Sequence, residues 1–311
     1  MIEVRGLTRD YGKFRALDGL DMAIEDGALH GFVGPNGAGK TTTMRILATL
    51  LPATAGTATI DGVSVTRNPR AVRRMLGYMP DFFGVYDRLH TWEYLDFYAR
   101  CYSLHVRERA RRIDQLLELV NLTDKKDAYV DSLSRGMKQR LCLAHALVHD
   151  PRFLILDEPA SGMDPRARAE MKQILRTLSG MGKTVLISSH ILPELSEMCD
   201  ALTIIDRGKL VFSGPVEELA RKIQGDAALL IRLRQDAGEA AMEQLVRLLK
   251  EFAGVTGITE AEDRVLSVEM DGGEDACHAL LKLLIDAQVP VVDFHRRRMN
   301  LEKVFMEVTE A

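Results

Sequence analysis

No apolar run in this sequence approaches the roughly 20 residues that a helix needs to cross a bilayer, so the chain is expected to carry no helical membrane span of its own. Its start, Met1-Ile2-Glu3-Val4-Arg5, lacks the pattern of a secretory signal, and a cytosolic protein is expected. Cysteine is sparse: Cys101, Cys142, Cys199 and Cys277 stand far apart, with no C-x-x-C pair and no histidine at metal-ligand spacing. That argues against a disulfide framework and a zinc site, and leaves four thiols expected to be buried. Basic charge is also in deficit. A net charge of -4 and a pI near 6.1 give no overall footprint for nucleic acid. Internal repeats and low-complexity tracts are missing too.

What remains is a globular composition, 46% hydrophobic and 28% charged, over 311 residues that suit two domains. Ile2 to Thr8 alternates apolar and polar residues like a half-buried strand, Ala16 to Ile24 gives a second, and Leu29 to Val33 is a short apolar strand. A helix is expected from Gly39 through Leu51. Leu154 to Leu156, Thr184 to Ser188 and Leu202 to Asp206 read as further strands, separated by helical patterns at Pro165 to Leu178 and Leu192 to Met198. This alternation predicts a parallel sheet with helices packed on it. Trp92 to Ala146 is nearly all helical in pattern and reads as an insertion. Arg207-Gly208-Lys209 predicts a hairpin turn, and Gly225-Asp226 a domain boundary. Beyond it the order strand (Ala228 to Leu233), helix (Glu239 to Phe252), strand (Val255 to Thr259), strand (Val265 to Met270), helix (Glu274 to Ala287), strand (Val289 to His295) predicts a ferredoxin-like unit. A last helix is expected over Leu301 to Val308.

Three segments carry chemistry. Gly34-Pro35-Asn36-Gly37-Ala38-Gly39-Lys40-Thr41, followed by Thr42, is a full G-x-x-x-x-G-K-[ST] loop in a strand-to-helix turn. Its glycines let backbone N–H groups close around phosphate oxygens. Lys40 adds a point charge for the β and γ phosphates, Thr41 a hydroxyl for Mg²⁺, and the helix N-terminus favours the anion. Asp157 and Glu158 end an apolar strand, placing two carboxylates at the sheet edge beside that loop. There the first suits Mg²⁺ and the second an attacking water. Ser134 is placed to cap a helix expected through His149, in Leu133-Ser134-Arg135-Gly136-Met137.

Together these segments resemble the ATP-binding-cassette (ABC) ATPases, over roughly Ile2 to Leu219. The resemblance implies an α/β P-loop NTPase cassette over residues 1–224, with a mixed sheet core and a helical subdomain at about 81–150. A small α+β ferredoxin-like accessory domain is expected over 225–311. Ser134 and Gly136 resemble the signature that grips the γ-phosphate held by a second subunit, departing from the usual pattern at Arg135, which adds charge near the triphosphate, and at Met137. His190, after Ser188-Ser189, resembles the switch histidine that links the γ-phosphate to Glu158. Asp164 resembles the acid of a loop that touches the opposite subunit. Tyr11 resembles the aromatic that stacks on adenine, with a core tyrosine as the alternative. Asp81, in Gly77-Tyr78-Met79-Pro80-Asp81, stands where these ATPases carry a glutamine that contacts Mg²⁺ and water. Phe82, Phe83 and Tyr86 follow in a loop read as a partner interface. Arg296-Arg297-Arg298 reads as a solvated face rather than a basic contact.

The resemblance implies a homodimer closed head to tail over ATP and Mg²⁺, with Lys40, Glu158 and His190 catalytic and no nucleic-acid partner. Ser-Arg-Gly-Met and the tail Asn300-Leu301-Glu302-Lys303-Val304-Phe305 resemble bacterial export-type ATPases, many assigned to drug, polysaccharide or natural-product efflux. Such a subunit pairs with an integral membrane permease at the cytoplasmic face, and its accessory domain is expected to steady the dimer or regulate turnover. A soluble ABC ATPase acting on ribosome or DNA is the alternative, as is a module in which ATP only switches binding. Because aspartate is shorter than glutamine and charged, Asp81→Gln is predicted to change the metal dependence of ATP hydrolysis. An unchanged Mg²⁺ response and turnover in that variant removes Asp81 from catalysis.

Overall fold

The structure, a computed structural model, describes all residues except 83, 85–87, 220–228, 262–264 and 297–311. Phe83, Tyr86, the Gly225-Asp226 boundary, Arg297, Arg298, the tail from Asn300 and the helix expected over Leu301 to Val308 therefore lie outside the described residues. The chain divides into two compact units, one over Met1–Val216 and one beginning at Glu217. Among the described residues no helix is long and apolar enough to cross a membrane.

The first unit holds two sheets. β1 (Ile2–Tyr11) pairs antiparallel with β2 (Phe14–Ile24) on one side and β4 (Ala55–Ile60) on the other, and β5 (Val63–Ser64) extends this sheet. The second sheet contains β3 (Leu29–Val33), β6 (Leu76–Met79), β7 (Phe153–Leu156), β8 (Thr184–Ser189), β9 (Ala201–Asp206) and β10 (Lys209–Pro215), in the order β10-β9-β3-β8-β7-β6. It is parallel except for the β9–β10 hairpin at its edge. Every residue of β3, β7 and β8 is buried, and β7, Phe-Leu-Ile-Leu, is apolar throughout.

The parallel order sets the carboxyl ends of four strands side by side. β3 runs into the glycine-rich loop, β8 into His190, β7 into Asp157 and β6 into Pro80 and Asp81. Register keeps those ends level, with Val33 opposite Ser189, Leu156 opposite Ile187 and Met79 opposite Leu156. In open parallel sheets this edge is where ligands bind.

Helices α1 (Lys40–Leu47) and α2 (Pro69–Met75) lie between β3 and β6 in sequence. The insert is helical as expected, with α3 (Thr91–Cys101), α4 (Val106–Leu119) and α5 (Arg135–Ala146), and α6 (Pro165–Gly180) and α7 (Leu192–Ser196) follow. The second unit has four antiparallel strands in the order 255–261, 265–270, 229–233, 291–296, with helices Glu239–Glu251 and Glu274–Asp286. That is the ferredoxin-like order.

Several expectations are corrected. α1 stops at Leu47, not Leu51, because Thr49 takes a left-handed backbone at φ 63°. α5 ends at Ala146, not His149. Strands β4 and β6 lacked a sequence signal. A Cβ on Gly56 in β4 would fall 2.2 Å from the Gly6 carbonyl oxygen, so glycine permits close packing of β4 on β1. Cys142 and Cys199 are buried as expected and Cys277 is half-buried, whereas Cys101 is exposed at the end of α3.

One buried and two half-buried histidines tie this unit to pH. Burial lowers His30, His145 and His149 from the ordinary 6.5 to about 4. His145 stacks on Tyr98 at 3.6 Å and His149 on Tyr102 at 3.8 Å, joining α5 and its extension to α3. Since the folded pKa is depressed, the stabilisation is complete above 6.5 and is lost as pH falls toward 4. The urea midpoint is therefore predicted to drop between pH 7 and pH 4.5. His145→Phe keeps a ring on Tyr98 and removes one of the three groups, so the drop should shrink by about a third; an unchanged pH slope excludes His145 as a source.

Candidate functional site

The cleft at the carboxyl edge of the second sheet encloses about 440 Å³ and is lined by Asn36, Gly37, Gly39, Lys40, Thr41, Thr42, Asp81, Glu158 and His190 from the strand ends, and by Tyr11, Phe14, Ala16 and Ser161. Gly39 begins α1 at φ 109°, where a Cβ would strike Leu17 Cδ2 at 2.6 Å and the Ala16 carbonyl oxygen at 2.8 Å. Only glycine lets the loop turn here beneath the β2 backbone. Gly34, Pro35 and Ala38 complete the loop behind the lining. Lys40 is 7% exposed, and its ammonium donates to the carbonyls of Gly34 (2.6 Å) and Pro35 (3.2 Å). Burial pulls its pKa below the usual lysine value, against the nearby charges of Glu158 and Asp157.

Asp157 is 1% exposed. Its Oδ1 accepts from the Ser188 hydroxyl at 2.6 Å, while Oδ2 is buried with no hydrogen-bond partner among the described residues. The same Ser188 oxygen accepts from the Glu158 amide at 2.9 Å. Glu158 itself sits at φ 49°, a left-handed backbone that costs a non-glycine residue on the order of 1–3 kcal/mol. Its two carboxylate oxygens each lie 3.1 Å from His190 Nδ1, which donates to them, and Oε1 is 3.9 Å from Lys40 Nζ. Burial raises the Glu158 pKa, outweighing the hydrogen bond and charge of His190 and the charge of Lys40. His190 is held in a turn closed by Ser189 Oγ, which accepts from the Ile191 amide at 3.0 Å.

A buried carboxylate oxygen without a donor suits a cation. A lysine and a helix N-terminus beside it suit phosphate oxygens. Among the described residues no three acidic, histidine or cysteine side chains form a metal cage of their own, so a cation here needs further oxygens from a bound phosphate and water.

Tyr11 is 44% exposed at the rim, which rules out the core alternative, and the Arg9 guanidinium lies 4.7 Å from its ring centroid. Sequence reasoning missed Phe14, which pairs with Tyr11 across the β1–β2 turn and is 62% exposed. Two aromatics flanking the Gly12-Lys13 turn were the available signal. Ala16 and Ser161 were missed as well. Ser134 and Gly136 do not line the cleft. Ser134 caps α5, its Oγ accepting from the Met137 amide at 3.3 Å. Asp164 caps α6, accepting from the amides of Arg166 (3.0 Å) and Ala167 (2.9 Å), with Pro165 in the first turn. Arg135 packs against Gly162 of its own chain.

The family model for "ABC transporter" matches residues 17–161. The daunorubicin resistance ATP-binding protein DrrA3 of Streptomyces coeruleorubidus is 35% identical over 99% of this chain and 95% of its own length. The Nod factor export ATP-binding protein I of Ralstonia nicotianae is 33% identical over 99% of this chain and 94% of its own. Among solved structures, an ATP-binding subunit of an ABC transporter superposes with a TM-score of 0.65 at 28% identity, covering 72% of this chain and 93% of its own.

Removing the Ser188 hydroxyl takes one donor from a buried carboxylate and one acceptor from the Glu158 amide. Ser188→Ala is predicted to lower unfolding free energy by about 1–3 kcal/mol in urea titrations. A loss below about 0.5 kcal/mol would show that the bridge contributes little.

Proposed function

The chain belongs to the ABC transporter family of ATP-binding proteins and is an ATPase, and from that premise we propose that it powers export through a separate membrane-embedded permease. Relatives named for daunorubicin resistance and Nod factor export support the direction of transport. The permease would select the substrate and hold this subunit at the cytoplasmic face of the membrane.

In this reading the backbone of Gly34 to Gly39, the N-terminus of α1 and Lys40 receive the β and γ phosphates. Tyr11, with Phe14 beside it, offers an aromatic surface for adenine. Mg²⁺, held by Thr41, Asp157 Oδ2 and in part Asp81, would neutralise charge on the phosphates. Glu158 orients and deprotonates the attacking water, and its raised pKa makes it the stronger base. His190 holds the Glu158 carboxylate through Nδ1 and leaves Nε2 for the γ-phosphate.

One observation carries the proposal of two copies. Ser134 and Gly136 head a second helix N-terminus suited to phosphate, yet stand outside the cleft formed by Lys40, Glu158 and His190. Two chains arranged head to tail supply each cleft with the partner's α5, so ATP binding closes the pair and hydrolysis reopens it. Glu158→Gln keeps the shape and removes the base. It should abolish turnover and elute as a dimer with ATP and Mg²⁺ in size-exclusion chromatography, and a monomeric, fully active variant would refute the role given to Glu158.

A further inference from the structure

The N-terminal turn of α5 is fastened to the loop that follows Glu158 by two contacts from neighbouring positions on the helix. The first is made by Arg135. A Cβ built on Gly162 would fall 2.5 Å from the Arg135 Cζ and 2.6 and 2.7 Å from its two terminal nitrogens. Three atoms of the guanidinium at nearly equal distance mean that its plane lies flat on Gly162, in space that only glycine leaves open. Gly162 also has φ +66°, a conformation that favours glycine. The second contact comes one helical turn along, where Gln139 Nε2 donates to the Ser161 carbonyl at 3.0 Å. Gln139 is 3% exposed, so that bond is shielded from water.

The loop they hold is short and internally closed. The Ser161 amide donates to the Glu158 carbonyl at 3.1 Å, and Met163 to Ala160 at 3.3 Å. Ser161 lines the nucleotide cleft next to Glu158. Ser134 and Gly136, immediately beside Arg135, are the groups proposed above to reach the partner's γ-phosphate. The path from one copy's phosphate-gripping turn to its own Glu158 thus runs through a stacked guanidinium and a buried amide.

We propose that Arg135 and Gln139 are positioning residues that clamp the loop after Glu158 to the head of α5, so that engagement of the partner's nucleotide sets the geometry of the chain's own hydrolytic carboxylate. This inference rests on the two-copy reading. The clamp works by shape: a planar guanidinium stacks on a peptide face where a lysine ammonium has no plane to offer. Charge alone is insufficient on this account.

The test compares Arg135→Ala, Arg135→Lys, Gly162→Ala and Gln139→Leu in the full chain, reading both steady-state ATP hydrolysis and the affinity of the single chain for a fluorescent ATP analogue. Nucleotide affinity should stay within about twofold of the parent, because none of the four lines the P-loop, while kcat falls about tenfold, or about 1.4 kcal/mol. Lysine should not rescue. Gly162→Ala, which evicts the guanidinium, should copy Arg135→Ala, and the Arg135→Ala/Gln139→Leu double variant should lose less than the product of the single losses. Parental turnover in Arg135→Ala or Arg135→Lys overturns the clamp, as does a loss confined to nucleotide affinity. Failure of the two-copy reading appears separately, as a Glu158→Gln chain that stays monomeric with ATP, and the inference falls with it.

Discussion

The hydroxyl of Ser188 makes two bonds on which the rest of the site depends: it donates to Asp157 and accepts from the amide of Glu158. A carboxylate as buried as Asp157 costs several kcal/mol to desolvate unless its oxygens are met. Ser188 meets one oxygen and leaves the other available. It also fixes the peptide that turns Glu158 away from the strand into a left-handed conformation, so adjacent acids point to different tasks. The bridge exists because β7 and β8 are parallel with Leu156 opposite Ile187, which brings Ser188 beside the residues just beyond β7. A slip of one residue would turn each side chain to the other face of the sheet and carry Ser188 away from Asp157 and the Glu158 amide.

Burial sets the acid–base character of the cleft. Lys40 is pulled toward its neutral form and Glu158 toward its protonated form, each mainly by loss of water. The two stand 3.9 Å apart, and His190 closes the other side of the carboxylate. Each group therefore stabilises the charge on its neighbours, and removing any one exposes the rest to an unmet desolvation cost. Stability and chemistry draw on the same few contacts.

How much of this was legible in the sequence follows from which features are local. The glycine-rich loop, Asp157 and Glu158 at a strand end, Ser134 as a cap and Asp164 before Pro165 are set by neighbouring residues, and each was readable. The fold class and the ferredoxin-like strand order were also legible, because apolar periodicity is local. Partners distant in sequence left no trace. Ser188 carries no mark of its bonds to Asp157 and Glu158, Phe14 joins the cleft only because β1 and β2 pair, and the close approach of Gly56 to β1 leaves no local sign. Arg135 was read as charge near a triphosphate, and its packing on Gly162 left no sign in the sequence. The aromatic loop after Asp81 was legible as a motif, but Phe83 and Tyr86 are outside the described residues.

The charges of the cleft bear on the proposal that a second copy completes the site. Of the ionisable lining residues, Lys40 is cationic and Asp81 and Glu158 are acidic, with Asp157 buried beneath them. His190 is already committed through Nδ1 to Glu158. A triphosphate brings several negative charges to a surface whose own balance among the described residues is negative, where the α1 N-terminus adds to Lys40 in its favour. In the proposed reading a divalent cation and a further positive group would offset that charge. In the proposed pair, the N-terminus of the partner's α5 would supply part of that field. In the proposed two-copy arrangement the nucleotide would be the charge partner that each surface lacks, and its cleavage would weaken that attraction.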